Sequence, residues 1–232
     1  MRIHGFQKTT LLDYPGKVAA TIFTGSCNFR CPFCQNSGLV LHPEEEAVIP
    51  EEDVLAFLKK RRNILDGLCV TGGEPTLRAD LIPFLEQIKA LGYLVKLDTN
   101  GYRPEVLKEL AGRKLIDYVA MDIKSSRETY AKVAGVPSLD LSLIEESVAF
   151  LMNGDLPYEF RTTVVRELHG ASDFESIGEW LAGCQAYFLQ SYKDSDMVMT
   201  SGLSAYTVPE LKDFLNILLP SIPAARLRGV DE

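Results

Sequence analysis

Three cysteines, Cys27, Cys31 and Cys34, fall within eight residues in the segment Thr24–Gly25–Ser26–Cys27–Asn28–Phe29–Arg30–Cys31–Pro32–Phe33–Cys34–Gln35–Asn36. The C-x3-C-x2-C spacing lets three thiolates face one metal centre, because the intervening residues are too few to fold independently. The count of three is informative. A 4Fe–4S electron carrier uses four cysteines, one per iron, so three leave one iron free to bind a substrate or cofactor. A structural zinc site also takes four closed ligands, and His42, eight residues past Cys34, is an unusual fourth for a compact knuckle. Cys69 and Cys184 stand alone beside apolar runs and read as core residues.

Other groups able to bind a ligand follow short β-rich runs: Val18 to Thr24, Leu68 to Thr71, Leu94 to Asp98, Tyr118 to Ile123, Glu159 to Val165 and Ala186 to Leu189. The cysteine loop follows the first and Gly72–Gly73–Glu74–Pro75 the second. The third leads into Asp98–Thr99–Asn100–Gly101 and the fourth ends in Asp122–Ile123–Lys124. Arg166 follows the fifth, and Gln190 and Tyr192 the sixth. Parallel α/β folds bind ligands at the carboxyl ends of their strands, so these groups are expected at one mouth. Gly72 and Gly73 allow the backbone to approach a ligand closely. With the acidic and basic groups they suggest a site for a zwitterionic, ribose-bearing molecule. Singly, each is also compatible with an ordinary turn or a solvated loop.

Helix-like segments must position these ends. Leu81, Leu85, Ile88 and Leu91 recur at helical spacing and are closed by Gly92. Capping boxes are read at Ser125 with Glu128, Ser172 with Glu175, and Thr207 with Glu210. The stretch Ser125 to Asn153 is expected to divide into two helices at Gly135–Val136–Pro137. Six β-runs separated by helices predict a parallel sheet, either open and doubly wound or an incomplete barrel.

The 232 residues carry a formal charge of −8, a field that disfavours nucleic acid and acidic membrane surfaces. There is no apolar run of spanning length and no signal-peptide pattern, so no membrane partner and a cytoplasmic, reducing location are expected. One domain over residues 1–232 is expected, with the cysteine loop at 24–40. His4, His42 and His169 show no catalytic spacing and read as surface or capping residues.

Cys27, Cys31 and Cys34, with Phe33 before the last, resemble the cluster motif of the radical S-adenosylmethionine superfamily, and Gly72–Gly73–Glu74–Pro75 resembles its amino-group-binding motif. The resemblance implies an α/β fold, a partial (β/α)6 barrel of parallel strands with the active site at their C-terminal ends. It implies one 4Fe–4S cluster on the three cysteines and S-adenosylmethionine on the open iron, cleaved by one electron to methionine and a 5′-deoxyadenosyl radical. It places Phe33, Gly72, Gly73, Glu74, Asp98, Asn100, Asp122, Lys124 and Arg166 at the cofactor.

Within the superfamily the chain is most similar to glycyl radical enzyme activating proteins, particularly those serving anaerobic ribonucleoside-triphosphate reductase. This second likeness is carried by Gly5–Phe6–Gln7, Leu12–Asp13–Tyr14–Pro15–Gly16, Cys34–Gln35–Asn36, Asp98–Thr99–Asn100–Gly101 and Met121–Asp122–Ile123–Lys124. It implies a glycyl radical enzyme as protein substrate and a flavodoxin or ferredoxin as electron donor. It further implies Lys124 at the cofactor, and Asp98 and Asp122 beside a monovalent cation. The histidine that some activases carry after the sixth strand is replaced by Gln190–Ser191–Tyr192, so no adenosyl contact is assigned there. Two other readings stand beside this one: radical chemistry on a small molecule or modified nucleoside, and a noncatalytic zinc-binding module.

Overall fold

A computed structural model describes residues 1–230. An eight-stranded sheet organises the chain: β1 (Ile3–Thr10), β2 (Ala19–Thr24), β3 (Gly67–Gly72), β4 (Leu94–Thr99), β5 (Tyr118–Asp122), β6 (Tyr158–Val164), β7 (Tyr187–Ser191) and β8 (Ala225–Arg228). Sheet order equals chain order, β1 is antiparallel to β2, and every later pair is parallel. Among the described residues no pairing joins β8 to β1, so the sheet stays open. The six expected runs are β2 to β7, as a partial barrel requires. β8 lies within the last residues, where Arg226 and Arg228 interrupt the apolar signal; Asp231 and Glu232 lie outside the described residues.

The helices are α1 (Ser37–Leu41), α2 (Glu51–Lys60), α3 (Leu81–Ala90), α4 (Pro104–Gly112), α5 (Tyr130–Ala134), α6 (Leu141–Asn153), α7 (Ala171–Trp180) and α8 (Val208–Leu218). In α2, Glu51, Glu52 and Asp53 open the helix and Lys59 and Lys60 close it, matching both ends of its dipole. The division at Gly135 holds: at φ +66° it ends α5, and α6 begins at Leu141.

Of the three expected capping boxes, Thr207 with Glu210 forms at α8. At α7 the cap falls two residues earlier, at Gly170, and Asp173 accepts from the Gly170 N–H at 2.9 Å, so Ser172 and Glu175 do not cap it. Ser125 instead pairs with Thr129 at 2.7 Å and sits against Asp173, because its segment turns before α5 begins.

Alternation along the strands sorts the two faces. Ile22, Leu68, Val70, Val95, Leu97, Val119, Met121 and Phe160 face the helices and form the core with Leu58, Phe84, Ile88, Leu107, Ile144, Phe174 and Ile177. The opposite face carries Thr21, Cys69, Lys96, Asp98, Asp122, Glu159 and Arg161, and Cys69, Lys96, Asp98, Asp122 and Arg161 meet one another there. Cys69 and Cys184 are buried, as their apolar surroundings suggest.

Candidate active site

The ends of β2 and β3 touch, and glycine is what allows it. A Cβ on Gly73 would lie 1.9 Å from the Ser26 carbonyl oxygen, and Gly72 holds φ +113° against the Thr24 backbone. The Gly73 N–H donates to Thr24 O at 2.7 Å and the Glu74 N–H to Ser26 O at 2.8 Å, locking the glycine turn to the start of the cysteine loop. Asn36 Nδ2 donates to the Gly72 carbonyl at 3.1 Å, which accounts for an asparagine two residues after Cys34.

Later elements hold the rest of the cysteine loop. Arg30 N–H donates to Ala134 O at 2.8 Å, and Gly135 lies so close to the Arg30 carbonyl that a Cβ would approach it to 2.1 Å. A segment after β7 straps across the loop: Met199 N–H donates to Cys34 O at 3.2 Å and Thr200 N–H to Pro32 O at 2.9 Å. Nothing in the sequence pattern announced this strap.

Cys27, Cys31 and Cys34 line a cavity of about 160 Å³ together with Phe33, Gly72, Gly73, Glu74, Asp98, Asn100, Asp122 and Lys124. Thus eleven of the twelve residues expected at the site are brought together. Arg166 is the exception. Its guanidinium is exposed, pairs with Glu210 at 2.6 Å and lies over Tyr206, because the chain has already turned away from the strand end. Gln190 and Tyr192 also stay off the cavity wall; the Tyr192 hydroxyl donates to Asp194 at 3.0 Å.

Glu74 is buried, and its carboxylate is turned into the protein. Oε1 accepts from the Thr76 N–H (3.1 Å), the Thr76 hydroxyl (2.6 Å) and the Thr99 hydroxyl (2.8 Å), and Oε2 from the Asn100 N–H (2.7 Å). Burial raises its carboxyl above the ordinary range against the pull of Thr76, Asn100 and Thr99. The side chain therefore clamps the glycine turn to the loop after β4.

Asp98 and Asp122 are bridged by Arg161, a residue the sequence reading passed over. Burial alone would raise both carboxyls, but Arg161, with Lys96 beside Asp98 and Lys124 beside Asp122, holds Asp98 below its ordinary value and Asp122 at about 2. Burial opposes the charge on Lys124, yet Asp122 above all keeps its ammonium more basic than an ordinary lysine. The available signal was alternation: Glu159, Arg161 and Thr163 share one face of β6, with Phe160 on the other.

His169, expected at the surface or a cap, is buried. Its Nδ1 accepts from the Val165 N–H at 3.1 Å, leaving Nε2–H to donate to the Lys124 carbonyl at 2.8 Å. Burial lowers its pKa despite these bonds, so the ring is neutral. It also meets the Phe33 ring, with centroids 6.5 Å apart. His42 caps α1 at the surface.

The donor set fits an iron–sulfur cluster. Burial, then the Glu74 charge, pushes the Cys27 thiol up to about 12, and burial pushes Cys31 up to about 11. Such thiols keep their protons until a metal centre displaces them. The Asn28 Nδ2 amide, next to Cys27 in the chain, is buried with no partner among the described residues. It marks polar capacity here that the chain itself does not satisfy.

Comparison with known proteins bears on this geometry. Residues 21–172 match the model of the radical SAM superfamily. A protein of Methanocaldococcus jannaschii, provisionally named a glycyl-radical enzyme activating enzyme, is 32% identical over 200 residues, covering 84% of this chain and 81% of its own. A Saccharolobus islandicus protein, provisionally named a GTP 3′,8-cyclase, is 37% identical over 123 residues, 50% of this chain and 38% of its own. SuiB of Streptococcus suis, solved with its precursor peptide SuiA, superposes with a TM-score of 0.67 at 14% identity, over 90% of this chain and 48% of SuiB. QueE of Escherichia coli superposes with a TM-score of 0.55 at 17% identity, over 99% of this chain and 94% of QueE. The chain thus spans about half the length of SuiB, and at these identities the two structures speak for the fold alone.

Proposed function

Because the chain belongs to the radical SAM superfamily, we propose that it is an activase that generates a glycyl radical on a partner enzyme, anaerobic ribonucleoside-triphosphate reductase being the partner its motifs resemble most. The observation that carries the reading is the cavity in which three thiols meet the Gly72–Gly73 turn and the half-buried Lys124. The first relative above, matched over most of both chains, supports the activase branch. The cyclase match covers only half of this chain and carries no claim on a nucleotide substrate.

Cys27, Cys31 and Cys34 would hold one 4Fe–4S cluster, and residues 24–40 are its loop within one domain spanning 1–232. When bound, the cluster supplies the electron that splits the sulfur–carbon bond of S-adenosylmethionine. The chain's own work is binding, orientation and exclusion of water. Gly72 and Gly73 offer backbone groups to the cofactor's amino end, with the Gly72 carbonyl fixed by Asn36. Lys124, held charged, would meet its carboxylate. Phe29, Phe33 and Val40 supply apolar wall and keep water from the reacting atoms.

On the polar face, Lys96, Asp98, Asp122, Arg161, Glu159 and Arg228 are paired with one another. Few free groups remain to read a small molecule, which supports a macromolecular substrate that brings its own specificity. A flavodoxin or ferredoxin donor, a cytoplasmic setting and no nucleic-acid or membrane partner belong to the same proposal; among the described residues no helix is long and apolar enough to cross a membrane.

The test is anaerobic reconstitution with iron and sulfide, followed by reduction with S-adenosylmethionine and then a candidate glycyl radical enzyme. The expected result is 5′-deoxyadenosine, lost on Cys27→Ala, Cys31→Ala or Cys34→Ala, and a glycyl radical signal by electron paramagnetic resonance on the partner. Formation of 5′-deoxyadenosine with no radical on any such partner would shift the reading to a small substrate. No cluster and no cleavage would sink the radical reading.

A further inference from the structure

Arg161 lies on the polar face of the sheet between the ends of β4 and β5. Its Nη1 donates to Asp98 Oδ2 at 3.1 Å; its Nε and Nη2 donate to Asp122 Oδ1 at 3.0 and 2.9 Å. Lys96 takes Asp98 Oδ1, and Lys124 takes Asp122 Oδ2 at 3.1 Å. Every carboxylate oxygen of the two aspartates therefore already has a cationic donor.

The family resemblance would give these aspartates a monovalent cation, and the residues present do not fit one. Alkali ions, like other hard cations, need oxygen ligands with free lone pairs directed at them. Here an ion would have to displace a guanidinium or an ammonium from a site where burial makes each charge-assisted bond strong. The charges also argue against it: two carboxylates face Lys96, Lys124 and Arg161, leaving the cluster at a formal +1 before any ion arrives.

We infer that Arg161 is a tethered replacement for the cation, a positioning residue that ties the ends of β4 and β5 together so that the cofactor site works without potassium or sodium. A guanidinium suits this task because its planar fork reaches two carboxylates at once, which neither a lysine nor a single small ion does with the same directionality. The inference rests on the radical SAM reading of the cavity and adds that this chain has internalised an ion relatives would recruit. The third positive charge is fixed by covalent attachment, so it is present at any salt concentration.

The experiment compares potassium, sodium and choline chlorides at equal ionic strength. Affinity of the reconstituted parent chain for S-adenosylmethionine, by equilibrium dialysis, is expected to agree within twofold in all three. A fivefold or greater gain in potassium or sodium would overturn the inference. In Arg161→Ala, affinity is expected to fall at least tenfold in choline and to recover in part with potassium or sodium, a rescue that a merely structural residue would not show. An equal loss in every salt would count against the inference. Should that variant not fold, the parent comparison decides alone. If the parent binds no S-adenosylmethionine, the radical SAM reading fails instead. Sodium-23 line widths of the cluster-free chain still decide the point about Arg161: saturable broadening refutes it and its absence supports it.

Discussion

Replacing Glu74 with alanine removes the acceptor of four hydrogen bonds, and the cost depends on which donors can find another partner. The hydroxyls of Thr76 and Thr99 can rotate. The backbone N–H groups of Thr76 and Asn100, at 3.1 and 2.7 Å from the carboxylate, cannot. Each buried amide left unmade costs about 1–3 kcal/mol, and removing a buried charge returns part of the sum, so a net loss of about 2–5 kcal/mol is expected. For a chain of this size that corresponds to roughly 5–15 °C in melting temperature. Glu74→Gln can keep the bonds at Oε1 while setting its NH2 against the Asn100 N–H, so one amide is stranded and the loss is about 1–3 kcal/mol. Urea unfolding of the cluster-free chain, followed by circular dichroism and by the fluorescence of Trp180, measures both variants and tests for a two-state transition. An alanine variant within about 0.5 kcal/mol of the parent, or a glutamine variant no better than alanine, would refute the clamp.

Gly73→Ala forces a Cβ to within 1.9 Å of the Ser26 carbonyl; a loss of about 1–3 kcal/mol and a severalfold fall in iron bound on reconstitution are expected, read by unfolding and metal analysis. Mild acid acts through His169. Its folded pKa is lowered, so the unfolded chain takes the proton first. Its contribution is complete above about pH 6.5 and is lost as pH falls through the folded value, a slope that His169→Asn should remove from a pH series of melts. Asp98 and Asp122 act at lower pH for the same reason of sign. Their stabilisation is full above about pH 4 and fades toward pH 2, by about 1–2 kcal/mol for Asp122 once the solvent reaching its side chain is discounted, and Asp122→Asn should flatten that limb.

The β-runs and their strand-end groups were legible because alternation and spacing are local properties. All of β2 to β7 follow from short apolar runs bounded by turn residues, and eleven of the twelve expected site residues share one cavity. What stayed illegible depends on contacts distant in sequence. Arg166 and Arg161 are indistinguishable in type, and only the pairing of β6 with β5 shows that Arg161 falls opposite Asp122 while Arg166 has left the sheet. His169 gave no hint of burial, since its partners are backbone groups of Val165 and Lys124. The strap at Met199 and Thr200 bonds through main-chain atoms, which residue types do not advertise. β8 is short, with arginines at two of its four positions, so periodicity had too few apolar positions to register it.

Because sheet order follows chain order, each strand emerging during synthesis can dock on the one made just before it. The cysteines are on a different schedule. They come before the groups that shape their loop, which follow at Gly72 and Gly73, then Ala134, and last Met199 and Thr200. In a growing chain the three thiols therefore precede every backbone group that holds their loop, and the last of those contacts can form only once Met199 and Thr200 have been added.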